Sequence, residues 1–90
     1  MSRDFQRQSL ERLLRFWDNI EEEKTWLRVG ADIHLRDNQF HGQWILYNEG
    51  DLLLVRYKFY ADLTCADQHG RHCRVIMRDL RFMTMEEDEE

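Results

Sequence analysis

Four side chains that can bind a metal ion lie within nine residues of one another: Cys65, His69, His72 and Cys73. Zinc prefers such ligands, but structural zinc sites usually combine two separated ligand pairs. Here all four flank one polar loop, and both cysteines fall in the inward phase of their strands. We therefore expect two buried, reduced thiols and two solvent-facing histidines, with no metal and no other cofactor.

A second group consists of imidazole and cationic side chains that could bind phosphate. Its members are His34, His41, Arg56, Lys58, Arg74 and Arg78. His34, His41 and Lys58 are also the types that a metal-independent phosphodiesterase needs as base, acid and cation. The sequence predicts no cleft around them, and it contains no nucleotide-binding glycine loop and no serine-nucleophile motif. We therefore expect a protein that is not an enzyme.

The element that precedes these residues is an amphipathic helix. Residues 3 to about 24 carry apolar side chains at helical spacing, which favours one buried helix face. These side chains are Leu10, Leu13, Leu14, Trp17 and Ile20. The spacing predicts that the helix packs on the core of the domain.

From Trp26 onward the apolar residues recur at every second position, which is typical of half-buried strands. Four strands are predicted, over residues 26–35, 40–47, 52–64 and 72–85, with polar loops between them. The predicted fold is α+β, with an N-terminal helix packed on one face of a four-stranded antiparallel β-meander. This order of elements resembles the cystatin-type architecture, a resemblance of fold that implies no function.

Strand register decides which residues face the helix, because a shift of one residue inverts the two faces. A two-residue turn at Asp37-Asn38 pairs Leu35 with Phe40 and places Trp44 in the core. In the last hairpin, the sequence predicts Asp62 opposite Arg74, where the two charges attract each other.

That register leaves a set of apolar side chains on the outer face of the sheet. They are Ile45, Tyr47, Leu52, Leu54 and Phe82. A single helix covers only one sheet face, so these side chains would form an exposed patch of the size that marks interaction sites. We expect the patch to bind a partner protein or to form a homodimer.

Length and charge set the remaining limits. Ninety residues, 42% of them apolar, make one domain, to which we assign residues 1–85. This part carries 13 basic and 13 acidic residues, whereas residues 86–90 are all acidic and are predicted to form a disordered tail. No apolar run exceeds four residues, and the first residues do not resemble a secretion signal, so we expect a cytoplasmic protein without a membrane span.

The sequence favours a non-enzymatic protein-binding module. We expect a small stoichiometric inhibitor or regulator, immunity-type or phage anti-defence-like, that acts through the outer face of its sheet. The alternative is a nucleic-acid-binding module that uses the basic side chains of the same face.

Overall fold

The alternating pattern that begins at Trp26 forms seven short strands rather than four long ones, in a computed structural model that describes residues 3–39 and 42–86. The elements are α1 (Arg3–Asn19), β1 (Trp26–Val29), β2 (Ile33–Asp37), β3 (Trp44–Tyr47), β4 (Leu52–Phe59), β5 (Asp62–Ala66), β6 (His72–Ile76), a 3-10 helix (Met77–Phe82) and β7 (Met83–Glu86). The α+β class with an N-terminal helix is therefore confirmed, and the four-stranded meander is wrong. No helix in the described part of the chain is long and apolar enough to cross a membrane.

All seven strands belong to one antiparallel sheet, in the order β3-β2-β6-β5-β4-β1-β7. Its inner face carries the core, to which most strands contribute alternate residues. The strand side chains in this core are Leu27, Val29, Leu35, Ile45, Tyr47, Leu53, Val55, Leu63, Cys65, Cys73, Val75 and Met83. The order shows that β1 lies between β4 and β7, and not beside β2, which follows it in the chain.

The C-terminal half of helix α1 packs against the core. Trp17 and Ile20 are buried in the core, whereas Leu10 and Leu14, predicted to lie on the same buried face, are exposed. The helix ends at Asn19, five residues before its predicted end. Lys58 stabilises this end, because its Nζ donates to the carbonyl oxygens of Trp17 at 2.7 Å and Ile20 at 3.3 Å.

The first hairpin has a longer loop than the sequence predicts. Leu35 pairs with Ile45 and not with Phe40, and Arg36 pairs with Trp44. The shift of five residues is odd, so it inverts the two faces of β3. Ile45 becomes a core residue and Trp44 lies on the outer face, 59% exposed.

The predicted third strand is in fact two strands, β4 and β5. The chain reverses at Tyr60, which adopts a left-handed φ of 53° without being glycine. The register of β4 against β5 also shifts between Val55 and Tyr57, which is the mark of a β-bulge. Beyond the bulge, side chains at odd positions leave the inner face, so Tyr57 and Phe59 are exposed, whereas one unbroken strand over residues 52–64 would place both on the same face as Val55.

The last strands meet in a register that differs from the prediction by two residues. Asp62 pairs with Ile76 and Arg74 with Thr64, so the predicted faces are kept. Arg74 still reaches Asp62 diagonally, at 2.8 Å between Nη2 and Oδ2. Opposite charges therefore meet here as predicted, through a different backbone pairing.

The chain after β6 turns into the 3-10 helix and returns as β7 beside β1. Glu86, assigned from the sequence to the acidic tail, is the last residue of β7 and pairs with Trp26. Its carboxylate accepts two hydrogen bonds from Arg28, each of 2.8 Å. Residues 87–90 lie outside the described residues, and for them the tail stays a prediction.

Gly30 separates β1 from β2, at the point where the predicted first strand is interrupted. Its N–H donates to the carbonyl oxygen of Phe82 at 2.6 Å. A Cβ added to Gly30 would lie 2.9 Å from that oxygen, which is too close for a backbone atom that cannot rotate away. Only glycine fits this approach of the chain to the end of the 3-10 helix.

We expect Gly30→Ala to lower the free energy of unfolding by about 1–3 kcal/mol, because the new methyl group forces the two backbones apart. Urea denaturation measures the change. The control is Ala31→Ser at the exposed neighbouring position, which should cost less than about 0.5 kcal/mol. An equally small cost for Gly30→Ala would show that the contact with Phe82 can relax freely.

Candidate functional site

One continuous row of side chains crosses five strands on the outer face of the sheet. Register partners define it from β3 to β4: Trp44, Arg36, Arg74, Thr64 and Tyr57. We call this set the outer row. Trp44 and Tyr57, at its two ends, are 59% and 58% exposed. The row therefore presents two aromatic rings to solvent, with two guanidinium groups between them.

A second line of side chains runs beside the outer row. Leu46 pairs with His34, and Asp62 pairs with both Ile76 and Phe59. Leu46 is 50% exposed and Phe59 is more exposed still. Phe59 also packs against Tyr60 in an edge-to-face pair, with ring centroids 4.4 Å apart. Large apolar side chains thus extend the exposed surface along both ends of the row.

A cavity of about 350 Å³ opens on this face, where β2 and β6 meet the start of the 3-10 helix. It is lined by His34, Leu35, Arg36, Trp44, Arg74, Ile76, Arg78 and Asp79. We call it the basic cavity, because three guanidinium groups and one imidazole contribute to it. Its groups are suited to hold negative charge by charge-assisted hydrogen bonds.

The contacts of the basic cavity leave part of its positive charge available. Arg36 lies over the Trp44 ring, 5.1 Å from its centroid, and Arg74 is paired with Asp62. Asp79 accepts a hydrogen bond of 3.0 Å from the N–H of Ile76. Within the part of the chain that the structure describes, Arg78 makes no ion pair. Arg36 and Arg78 therefore line the cavity without an ion pair among the described residues.

Of the five predicted phosphate-binding residues that the structure describes, it brings three together. His34, Arg74 and Arg78 share the basic cavity. Arg56 instead donates to Glu23 at 2.8 Å, and Lys58 lies on the inner side, against the end of α1. Lys58 therefore does not share the outer face with the rest of the predicted set, because the bulge in β4 turns it inward, and phosphate binding by these residues stays a prediction. His41 lies outside the described residues.

The predicted partner-binding patch is also divided. Ile45 and Tyr47 are buried in the core, because the inverted register of β3 turns them inward. Leu52 and Leu54 remain half-buried on β4, where they pair with Arg28 and Trp26. Phe82 is exposed on the 3-10 helix, beside Gly30. These five residues form no single surface, and the homodimer predicted from them stays a prediction.

The cysteines face each other directly across β5 and β6. Both are fully buried, as predicted, and both are free thiols. Burial raises the pKa of each thiol, to about 12 for Cys73. His69 is exposed in the loop and His72 is half-buried at the start of β6. Among the described residues, no three side chains of the metal-binding types converge on one point.

A buried carboxylate ties β3 to the loop between β5 and β6. Asp67 Oδ2 accepts from the hydroxyl of Tyr47 at 2.6 Å and from Nε of Arg71 at 2.8 Å. Its Oδ1 accepts from the N–H groups of His69 and Arg71, both at 2.9 Å. Burial alone would raise the pKa of Asp67, but these four hydrogen bonds outweigh it and lower that pKa. The network holds the edge strand that carries Trp44.

Sequence reasoning missed Arg36, Trp44 and Tyr57, the three residues that define the outer row together with Arg74 and Thr64. Arg36 was detectable, because the alternation of β2 continues one residue past Leu35 and puts Arg36 on the same face as His34. Trp44 and Tyr57 carried no such signal. Their orientation depends on the length of a loop and on a bulge, which the local pattern does not record.

No family model matches the chain, and comparisons with curated proteins and with solved structures also give no match. The site therefore has to be interpreted from its own geometry.

Proposed function

We propose that this chain is a non-enzymatic protein-binding module that holds an acidic segment of a partner protein against the outer face of its sheet. It would act as a stoichiometric inhibitor or regulator. The observation that carries this proposal is the outer row, with Trp44 and Tyr57 exposed on either side of Arg36 and Arg74.

The composition of the row supports a protein partner. Tryptophan, tyrosine and arginine are the residue types that most often dominate the binding energy of protein interfaces. Rigid aromatic rings bury a large area at a small entropic cost, and guanidinium groups bind carboxylates in a bidentate manner. The basic cavity next to Trp44 supplies the electrostatic complement to acidic side chains.

The proposal predicts salt-sensitive binding of an acidic probe. The probe is a short peptide in which glutamate alternates with valine, titrated into the protein at low and at physiological salt. We expect Arg36→Ala and Arg78→Ala each to weaken binding about 10-fold, or about 1.4 kcal/mol. The matched control is Arg81→Ala, which removes an exposed arginine outside the basic cavity and should change the affinity less than about 2-fold.

Equal losses in all three variants would mean that the peptide responds only to overall charge, and the proposed site would be wrong. Peptides in which glutamine replaces glutamate test whether the negative charge of the ligand is needed. They should bind more weakly than the acidic probe.

A second candidate, single-stranded nucleic acid, is favoured by the spacing of the outer row. Neighbouring strands lie about 4.8 Å apart, so Trp44 and Tyr57 are separated by about 19 Å along the row. Exposed rings on a sheet stack with bases, and the arginines between them would contact phosphates. The equal numbers of basic and acidic residues in positions 1–85 make this candidate the weaker one.

Titration with an oligouridylate separates the two candidates. Binding tighter than that of the acidic peptide, and lost in both Trp44→Ala and Tyr57→Ala, would favour nucleic acid. No binding of the oligouridylate, with salt-sensitive binding of the peptide, supports a protein partner.

A further inference from the structure

The sheet ends in two edge strands, β3 and β7, and each has a strand neighbour on one side only within the described residues. Both are four residues long, but only β7 carries charge at its edge. There, Glu86 forms a bidentate ion pair with Arg28, and the hydrogen bonds from Arg28 lower the pKa of Glu86. Charged side chains on an edge strand are a common protection against pairing with another chain.

Strand β3 lacks this protection. Its sequence, Trp-Ile-Leu-Tyr, contains no charged residue and no proline. Trp44 and Leu46 nevertheless expose 59% and 50% of their surface. An apolar edge strand with exposed side chains is the arrangement that adds a further strand most readily.

The backbone of the same two residues faces away from β2. The N–H of Asp37 donates to the carbonyl oxygen of Gln43 at 3.0 Å, so these residues form a hydrogen-bonded pair. In an antiparallel ladder bonded pairs alternate, which makes Leu35 with Ile45 the next bonded pair. The N–H and C=O groups of Trp44 and Leu46 therefore point outward from the sheet.

We propose that the acidic segment bound by this protein is extended and adds to the outer edge of β3 as an eighth strand. This inference rests on the proposed function, and it specifies the conformation of the partner. Outward-facing groups of Trp44 and Leu46 supply the backbone hydrogen bonds.

Charge complementarity fixes the side chains of the added strand. On the outer face they lie beside Trp44 and Leu46, and Trp44 lines the basic cavity together with Arg36, so acidic residues fit there. On the inner face they meet the edge of the core at Ile45 and Tyr47, where apolar residues fit. The partner segment should thus alternate acidic and apolar residues. A second copy of β3 has no acidic residue, and it is the weaker occupant.

The test uses the glutamate–valine peptide and two N-methylated versions of it. In one version the backbone nitrogens of the glutamates are methylated, and in the other those of the valines. N-methylation removes backbone donors and leaves the charges unchanged. We expect at least one of the two methylated peptides to bind more than 10-fold more weakly than the parent peptide. Equal affinity of all three peptides would overturn strand addition and leave the binding of acidic segments intact.

Variants of the protein test strand addition by changing β3 instead of the peptide. Leu46→Pro removes an outward N–H while sparing the bonds to β2, and edge strands tolerate proline. Leu46→Ala removes the side chain and keeps the N–H, so it is the matched control. We expect Leu46→Pro to bind the peptide at least 5-fold more weakly than Leu46→Ala, with both variants folded by circular dichroism.

Two further results distinguish this inference from the proposed function. Sensitivity to N-methylation, together with equal binding of a glutamine–valine peptide, supports strand addition and contradicts the acidic partner. A concentration-dependent dimer that dissociates in Leu46→Pro and not in Leu46→Ala, with no binding of the peptide, would replace the partner segment by a second copy and overturn the inference as stated.

Discussion

Replacing Ile45 by alanine is expected to lower the free energy of unfolding by about 2–5 kcal/mol, which is the usual cost of deleting a buried aliphatic side chain. Ile45 is only 8% exposed and belongs to the core cluster, in register with the fully buried Leu35. Truncation leaves a cavity between β2 and β3. Urea denaturation of the purified variant measures the change.

The neighbouring residue provides the control. Trp44 is the larger side chain, but it lies on the outer face, where its described contact is with the Arg36 guanidinium. Cation–π pairs at exposed sites contribute about 0.5–1 kcal/mol, so Trp44→Ala should cost no more than about 1 kcal/mol. A cost above about 3 kcal/mol for Trp44→Ala, with a small cost for Ile45→Ala, would mean that the faces of β3 are assigned the wrong way round.

Trp44 and Ile45 also show how far the sequence predicts this fold. Alternation within a strand identifies its buried set, because every second side chain shares a face. The alternation that begins at Trp26 places Leu27 and Val29 on one face of their strand, and Leu53 and Val55 share a face in the same way; all four are buried. For β3, however, the strand Trp-Ile-Leu-Tyr is apolar at every position, so alternation does not decide which pair faces the core.

The register of β3 against β2 depends on the turn between them, and the predicted two-residue turn is wrong. Asp37-Asn38 is a plausible two-residue turn, but the chain uses a longer connection that includes Gly42 with a φ of 85°. The longer loop lets Leu35 meet Ile45 and lets Tyr47 reach Asp67. These partners lie 10 and 20 residues away in the chain, and no local pattern encodes them.

The candidate site was predicted in part for a related reason. His34, Arg74 and Arg78 were assigned to one basic surface because their residue types and phases agree, and they line one cavity. Lys58 was placed there as well, on the assumption of an unbroken strand. The bulge before Tyr57 and the left-handed turn at Tyr60 contain no glycine or proline to indicate them, so the sequence gives no sign that the phase changes.

Loss of the Asp67 carboxylate should be costly, because four hydrogen bonds end on it. In Asp67→Ala the buried hydroxyl of Tyr47 loses its acceptor, as do Arg71 and the N–H of His69. A buried donor left without a partner costs about 1–3 kcal/mol, and the exposed donors can turn to water. We expect a total loss of about 3 kcal/mol in urea denaturation at neutral pH.

Tyr47→Phe is the matched control for Asp67→Ala. It removes one donor and leaves the carboxylate with three, so it should cost about 0.5–1.5 kcal/mol. A larger loss for Tyr47→Phe than for Asp67→Ala would show that the Tyr47 hydroxyl contributes through something other than its hydrogen bond to the Asp67 carboxylate.

The contribution of the Asp67 carboxylate to the free energy of unfolding should depend on pH, and the direction follows from its pKa. The pKa of Asp67 is lower in the folded protein than its ordinary value of about 3.9, because the hydrogen bonds to the carboxylate outweigh the effect of burial. The stability that it contributes is therefore complete above pH 3.9 and is lost as the pH falls through the folded pKa. Asp67→Asn cannot titrate, so the difference in unfolding free energy between wild type and Asp67→Asn should be largest at neutral pH and should shrink steadily below about pH 4. Urea denaturation of both proteins across this range measures the difference, and a gap that is constant with pH would show that the Asp67 carboxylate has the same pKa in the folded and unfolded chains.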